Sequence, residues 1–335
     1  MSIIDQIREP VARQFRQYEH FFEDAFHTDN IVLEDVARHI ISRRGKQLRP
    51  LLVLLCAQAC RGINDKTYQT AVALELLHTA SLIHDDVVDE SDERRGKSTI
   101  HRQWNNKVAI LCGDFLLSRV IEIVASLRNV RILGLVSDLG SSLAAGELLQ
   151  LKNSFGRYDV GQKESLMRDY FRVIEQKTAR LFSVCAQAGA ISSGATPKQE
   201  NALRHYGTEL GMCFQMQDDI LDFSDSEELG KPTLNDVREG KRTLPLLISL
   251  DRATPQERSQ METLLTDITH LTGNELFEAE QEVKSFVMRY DGVHFTHQQM
   301  MQHRQKALNA LEVFHPNSVI NSLVLLLDYS INRMR

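Results

Sequence analysis

Apolar residues recur at three- and four-residue spacing through most of this chain, and no run of five or more alternating apolar and polar residues competes with that period. That is the period of helices packed on a core, not of a pleated strand. It predicts an all-α fold. The strongest segments are Tyr68–Asp89, Val108–Leu127, Leu133–Gln150, Lys163–Gly189, Lys198–Asp222 and Leu244–Asp251, all rich in Leu, Ala, Glu and Gln. Gly, Pro and small polar residues cluster between them at Ser91–Lys97, Asn153–Gly161, Ser192–Pro197, Ser224–Gly240 and Tyr290–Thr296, and these are predicted as loops. None is long enough, or low enough in complexity, to separate domains. No repeat of fixed period suggests a solenoid. The expectation is a single domain, residues 1–335, built as a bundle of about ten or more helices.

Charge and composition narrow the partners. The 335 residues carry 39 Lys+Arg against 45 Asp+Glu, a net charge of −6, which offers no basic footprint for nucleic acid or an anionic membrane. The longest apolar run, Leu51–Ala57, falls far short of the ~18 residues of a spanning helix, so no transmembrane segment is expected. The N-terminal MSIIDQIREPVARQF lacks a secretory apolar core, and the five cysteines form no CxxC pair, so a cytoplasmic protein with reduced thiols is expected. Cys56 and Cys60, at i and i+4, read better as two small side chains on a buried helix face than as a redox or metal element.

One short pattern occurs twice. LIHDDVVDE contains Asp85, Asp86 and Asp89, and FQMQDDILDF contains Asp218, Asp219 and Asp222; each DDxxD ends a strongly helical segment. On a helix each presents three carboxylates from two successive turns. Like charges at that spacing, near a helix C-terminus, destabilise it unless something neutralises them. Oxygen-only ligands select hard cations, and Mg²⁺ binds through one or two carboxylates while completing its shell with water and phosphate oxygens. Two facing clusters would hold several Mg²⁺ around a diphosphate. A single copy could equally be an acidic helix end in solvent; two copies, each preceded by apolar helix, make that reading poor.

A diphosphate also needs cationic donors. GKQLRP sets Lys46 and Arg49 on one helix face, and Arg94 and Arg95 follow the first acidic motif. Positions 78, 81, 85 and 89 form one stripe, which places His78 two turns from Asp85. Lys177-Thr178, Gln215, Lys231 and Lys241 are further polar residues near or between these elements.

Together these motifs resemble the trans-isoprenyl diphosphate synthases, or polyprenyl synthetases. The resemblance runs from about residue 30 to at least 250, through GKQLRP, HTASLIHDDVVDESDERRGK, GDFLLSR, EQKTARLF, FQMQDDILD and LGKPTLNDVREGKRTLPLL. It implies an all-α bundle with a central cavity, usually homodimeric, in which isopentenyl diphosphate and an allylic prenyl diphosphate condense. Residue by residue, it implies that Asp85, Asp86, Asp89, Asp218 and Asp222 carry Mg²⁺, roughly three ions per active site, with Asp219 acting through water. Arg94, Lys177, Thr178, Gln215, Lys231 and Lys241 would hold the allylic diphosphate. Lys46, Arg49, His78 and Arg95 would hold that of isopentenyl diphosphate. The implied reaction is ionisation of the allylic diphosphate, attack by the homoallylic double bond, and loss of a proton, with the departing diphosphate as the proton acceptor.

In this family the residues four and five before the first motif aspartate line the channel for the growing tail, and bulky aromatics there stop growth early. Here they are Ser81 and Ala80. Deeper along the same helix lie Leu77, Leu74, Ala73 and Ala71. At ~1.5 Å per residue, Asp85 to Ala71 gives on the order of 20 Å of wall. A product of C30 or longer, about C40 as a central value, is expected, of the kind that furnishes quinone side chains. Four alternatives stay open: a C15–C20 synthase, a class I terpene cyclase, a non-enzymatic partner subunit, and a di-iron bundle drawing on the two ExxH motifs Glu75–His78 and Glu312–His315.

Overall fold

The computed structural model describes residues 2–42, 44–94, 96–155, 163–224 and 234–333, with side chains omitted at 152–155 and 163–165. Helices dominate it, as the periodicity requires. In chain order they are α1 (Ile3–Arg8), α2 (Ala12–Asp24), α3 (Ile31–Ile41), α4 (Leu48–Cys60), α5 (Asp65–Val88), α6 (Ile100–Gln103), α7 (Asn106–Ser126), α8 (Val130–Phe155), α9 (Lys163–Ile174), α10 (Arg180–Ser192) and α11 (Pro197–Asp222). There follow α12 (Asn235–Arg238), α13 (Leu244–Arg252), α14 (Pro255–Asp267), α15 (Gly273–Arg289), α16 (Gly292–Leu311) and α17 (Ser318–Asn332). The only sheet among the described residues is a hairpin of two residues per strand, β1 (Glu93–Arg94) and β2 (Lys97–Ser98), turning through Gly96 at φ 70°. The chain folds as two compact units.

The first unit comprises Met1–Ser141, Phe182–Gly207 and Leu311–Leu325. Its centre is α4 and α5. All seven residues of Leu51–Ala57 are fully buried, so the chain's most continuous apolar run is the middle of a core helix. Asn64 starts α5 with a capping box: its side chain accepts from the Thr67 N–H while Thr67 Oγ1 accepts from the Asn64 N–H. Ala71, Ala73, Leu74 and Leu76 of α5 are then wholly enclosed. Cys56 is buried and Cys60 only partly so, and all five cysteines are free thiols.

The second unit comprises Ser142–Leu181, Thr208–Ala310 and Leu326–Arg335. Its core includes Phe223, Leu234, Leu246, Leu250, Val283, Phe286 and Val287 from α11, α13 and α15 and their flanks. Between α9 and α10 the helix takes one π turn, Glu175–Ala179. The predicted single helix Lys163–Gly189 is therefore three elements. Gly211 on α11 makes room for the turn, since a Cβ there would sit 2.5 Å from the Ala179 Cα.

One further expectation changes. The predicted loop Tyr290–Thr296 is helical from Gly292 onward; Asp291 makes the turn at φ 55°, and Gly292 is required because a Cβ would lie 2.2 Å from the Pro245 carbonyl oxygen. Among the described residues no helix beyond one weak candidate is long and apolar enough to cross a membrane. Val130–Leu151 of α8 is long and apolar enough to cross a membrane by length and composition, with mean hydropathy 1.4. Arg131, Asp138, Glu147 and scattered Gly and Ser keep any continuous apolar run short there; Val130, Leu133 and Leu148 are exposed, while Ile132, Val136 and Leu139 are buried.

Candidate active site

In the first unit, α5 ends where its acidic motif ends. Asp85 and Asp86 occupy the last turn, and Asp89 is the C-cap, its N–H donating to the Asp85 carbonyl at 2.8 Å. Glu90 at φ 50° and a Ser91 N–H bond to the Asp86 carbonyl close the helix. The three carboxylates do not share one environment. Asp85 and Asp89 are half-buried, whereas Asp86 is buried and accepts a 2.7 Å hydrogen bond from Arg94 Nε on the hairpin. Burial pushes the Asp86 carboxyl up, opposed by the guanidinium of Arg94. Thus Arg94 is brought to the acidic motif, at the position beside the outward stripe. Arg95 lies outside the described residues.

His78 and Ser81 sit half-buried on the same outward stripe as Asp85 and Asp89, and the Ser81 hydroxyl donates to the His78 carbonyl at 2.9 Å. Ala80 and Leu77, by contrast, are buried. Ahead of α4, Lys46 is exposed in the loop leading into the helix, and the Arg49 guanidinium lies 5.1 Å from the centre of the Phe182 ring. The second ExxH pair does not form the array a di-iron site needs: Glu312 and His315 are exposed in the turn after α16.

In the second unit a cavity of about 200 Å³ opens. Lys177, Thr178, Gln215 and Lys241, four residues spread over 65 positions, line it together with Asp219 and Asp236. The π turn presents Lys177 and Thr178. Thr178 Oγ1 donates to Gln215 Oε1 at 2.8 Å, and Gln215 Nε2 donates to Asp219 Oδ1 at 3.1 Å. Lys177 pairs with Glu147 and donates to Gln150 Oε1 at 3.3 Å, both on α8. Lys241 Nζ lies 3.6 Å from Asp236 Oδ1 and also pairs with Glu239. Lys231 lies outside the described residues.

The second acidic motif divides as sharply as the first. The Asp218 side chain keeps 36% of its surface accessible and pairs with Arg333. Asp219 is buried; it accepts from the Tyr170 hydroxyl at 2.6 Å and from the Leu244 N–H at 3.2 Å. Burial raises its carboxyl to about 7, against the lowering effect of Tyr170, with Asp236 raising it further and Gln215 and Leu244 lowering it. Asp222 is also buried, and its two oxygens accept the backbone N–H groups of Asn235 and Asp236, at 3.0 and 3.2 Å, so it caps α12.

Among the described residues no three His, Cys, Asp or Glu side chains converge to hold a metal by themselves. Mg²⁺ does not demand that, because it keeps waters and phosphate oxygens in its shell. The more accessible carboxylates of Asp85, Asp89 and Asp218 fit such an ion as hard donors, although Asp218 also pairs with Arg333; Asp86, Asp219 and Asp222 are buried and accept hydrogen bonds from protein partners. Several residues that the sequence did not single out belong to the second unit's site: Glu147, Gln150, Tyr170, Asp236 and Arg333. Glu147 had a signal, as an acid on an otherwise apolar stretch of helix. Tyr170 and Arg333 had none, since only the fold brings them to Asp219 and Asp218.

Known proteins resemble the chain along most of its length. A family model described as Polyprenyl synthetase matches residues 30–280. The octaprenyl diphosphate synthase of Escherichia coli (strain K12) is 35% identical over 334 residues, 99% of each chain. The all-trans-nonaprenyl-diphosphate synthase (geranyl-diphosphate specific) of Rhodobacter capsulatus is 33% identical over 328 residues, 97% of each chain. The crystal structure of a polyprenyl synthase from Caulobacter crescentus CB15, complexed with calcium and isoprenyl diphosphate, has TM-score 0.88 and 31% identity, covering 99% of this chain and 98% of that one.

Proposed function

The chain belongs to the polyprenyl synthetase family, and from that premise we propose that it condenses isopentenyl diphosphate with an allylic diphosphate in successive Mg²⁺-dependent, head-to-tail steps. The product is a long-chain all-trans polyprenyl diphosphate, C30 or longer, of the kind used for quinone side chains. The observation that carries this reading is the cavity of the second unit, where Lys177, Thr178, Gln215 and Lys241 line one space.

In this reading Lys177, Thr178, Gln215 and Lys241 hold the allylic diphosphate, a role that the family resemblance extends to Lys231 and Arg94. Lys46, Arg49, His78 and Arg95 hold that of isopentenyl diphosphate. Asp85, Asp89 and Asp218 are the carboxylates that take metal, which when bound supplies Lewis-acid neutralisation of the leaving group. Asp86, Asp219 and Asp222 hold neighbouring donors in place. The chain's own contribution is to fix cationic donors where negative charge grows as the allylic C–O bond breaks. Preorganisation matters because those donors need not reorient during the reaction. The departing diphosphate then accepts the proton lost on forming the new double bond.

Ser81 and Ala80 put no aromatic stop before the first motif, and Leu77 continues the wall; these small residues support a long product. The calcium in the Caulobacter crescentus structure is in keeping with a divalent ion at this site. The whole chain is read as one polyprenyl synthetase domain, acting in the cytoplasm, in keeping with its five free thiols. A homodimer is the preferred assembly: α7 exposes Ile110, Leu111 and Ile121, three large apolar side chains that a second subunit would cover. Incubation of the purified chain with labelled isopentenyl diphosphate, Mg²⁺ and C5, C10, C15 or C20 primers tests the reading. Products of C30 or more support it. Products ending at C15–C20 overturn the chain-length assignment, and absence of incorporation overturns the activity.

A further inference from the structure

Lys46 and Gln47 lead into α4, which has no side-chain cap of its own. Gln47, the residue preceding α4, sits in the left-handed region at φ 49°, ψ 47°, a conformation uncommon for a residue with a side chain. Something outside the loop must hold it there. Three contacts from α1 and α2 do so. Arg8, the last residue of α1, donates from Nη2 to the Lys46 carbonyl at 2.7 Å, and its guanidinium lies 4.1 Å from the centre of the Phe15 ring. Tyr18, fully buried, accepts a 3.3 Å hydrogen bond from Gln47 Nε2 through its hydroxyl oxygen. Glu23 pairs with Arg44, which also donates from Nε to the Ile41 carbonyl at 3.0 Å.

These contacts are built rather than incidental. Arg8 Nε is buried without a hydrogen-bond partner, so the guanidinium gives up hydration to reach the Lys46 carbonyl. Tyr18 packs between Phe15 and Phe22 with its ring tilted to both, ring centres 5.5 and 5.9 Å away, which restrains the hydroxyl that accepts from Gln47. Residues 8, 18 and 23 all precede the segment, 30–280, that matches the family model.

We propose that Arg8 and Tyr18 are positioning residues for the isopentenyl diphosphate site: they fix the backbone at Lys46 and Gln47 so that Lys46 and Arg49 stand ready for one diphosphate. The proposal rests on the reading that Lys46 and Arg49 hold that substrate. A single carbonyl anchor acts on the loop backbone, so its loss should weaken isopentenyl diphosphate binding and leave allylic diphosphate binding unchanged. A small misplacement of binding groups is enough to change affinity noticeably.

Steady-state kinetics with each substrate varied in turn, on full-length protein, tests this. Arg8→Met should raise KM for isopentenyl diphosphate about tenfold, the scale of one lost charge-assisted hydrogen bond, with kcat within about twofold and the allylic KM unchanged. Arg8→Lys, which keeps a donor for the Lys46 carbonyl, should recover most of the loss. Tyr18→Phe keeps the ring packing, serves if Arg8→Met does not fold, and should raise the same KM about threefold. Lys46→Ala provides the reference. If Lys46→Ala raises that KM while the Arg8 and Tyr18 variants leave it unchanged, or raise both KM values equally, the positioning role is overturned and the site reading stands. If Lys46→Ala itself leaves the KM unchanged, the site reading fails and the proposal falls with it.

Discussion

Arg333 Nη2 lies 2.7 Å from Asp218 Oδ1, so a residue of the C-terminal segment holds the first carboxylate of the second acidic motif. The same nitrogen donates to the Phe214 carbonyl at 2.9 Å, the guanidinium stacks 3.6 Å from the centre of the Phe214 ring, and Gln217 Nε2 donates to the Arg333 carbonyl. The cation is thus anchored one turn of α11 away from the carboxylate that it neutralises. Arg333 and a divalent ion call on the same carboxylate. Arg333→Met is expected to lower the Mg²⁺ concentration for half-maximal activity several-fold, the scale of a charge-assisted hydrogen bond, as read from metal titrations of turnover. An increase would mean instead that Arg333 supports coordination.

Asp85→Ala and Asp218→Ala are each expected to reduce turnover by several powers of ten while the far-ultraviolet circular dichroism changes little. Both carboxylates sit in the last turns of helices whose dipoles they oppose, which offsets part of the cost of removing them; Asp218→Ala also takes the carboxylate from Arg333, so the melting temperature should fall more for that variant. Retained activity in either variant would remove that aspartate from the site.

Ser81→Phe is the cleaner of two ways to shorten the product. Ser81 is half-buried beside Asp85 on the outward stripe, whereas Ala80 is fully enclosed. A phenylalanine at 80 would overpack the core at a cost of roughly 1–3 kcal/mol, mixing a stability defect with a change in chain length. Ser81→Phe should shift products to shorter chains on reversed-phase chromatography while sparing the first condensation. An unchanged product length would mean that Ser81 does not line the channel.

Asp219 predicts a pH dependence. Its carboxyl is raised to about 7 in the fold, against 3.8 for an ordinary aspartate. Between those values the native state holds a proton that the unfolded chain has released, so this group's contribution to stability declines as pH rises from about 4 to 7 and is level above that. In EDTA, denaturant unfolding should show Asp219→Asn gaining on the wild type across that window. A difference independent of pH would mean that Tyr170, Gln215 and the Leu244 N–H hold Asp219 ionised.

Much of this was legible in the sequence, for identifiable reasons. The ends of α5 and α11 coincide with the two acidic motifs, because each motif interrupts an apolar helical pattern with charge. The first members of the cavity, Lys177, Thr178, Gln215 and Lys241, followed from family motifs. Three things were not legible. The π turn at Glu175–Ala179 adds a residue to one helical turn, so the period on either side of it still reads as one helix. The inward turn of Asp86, Asp219 and Asp222 depends on partners 8 to 49 residues away, at Arg94, Tyr170 and Asn235, which periodicity does not report. The exposed apolar residues of α8, Val130, Leu133 and Leu148, were hidden by the charged, Gly and Ser residues that break its continuous runs.

Asp222 carries a consequence for how substitution data on this enzyme are interpreted. Both its oxygens cap the short helix Asn235–Arg238 that precedes Lys241. In a saturation-mutagenesis screen this position should therefore score as intolerant for architectural reasons, and an inactive Asp222 variant would not by itself count as a lost metal ligand. The DDxxD string is conventionally scored as three equivalent letters; in this protein the last letter of the second string is punctuation for the segment that follows it.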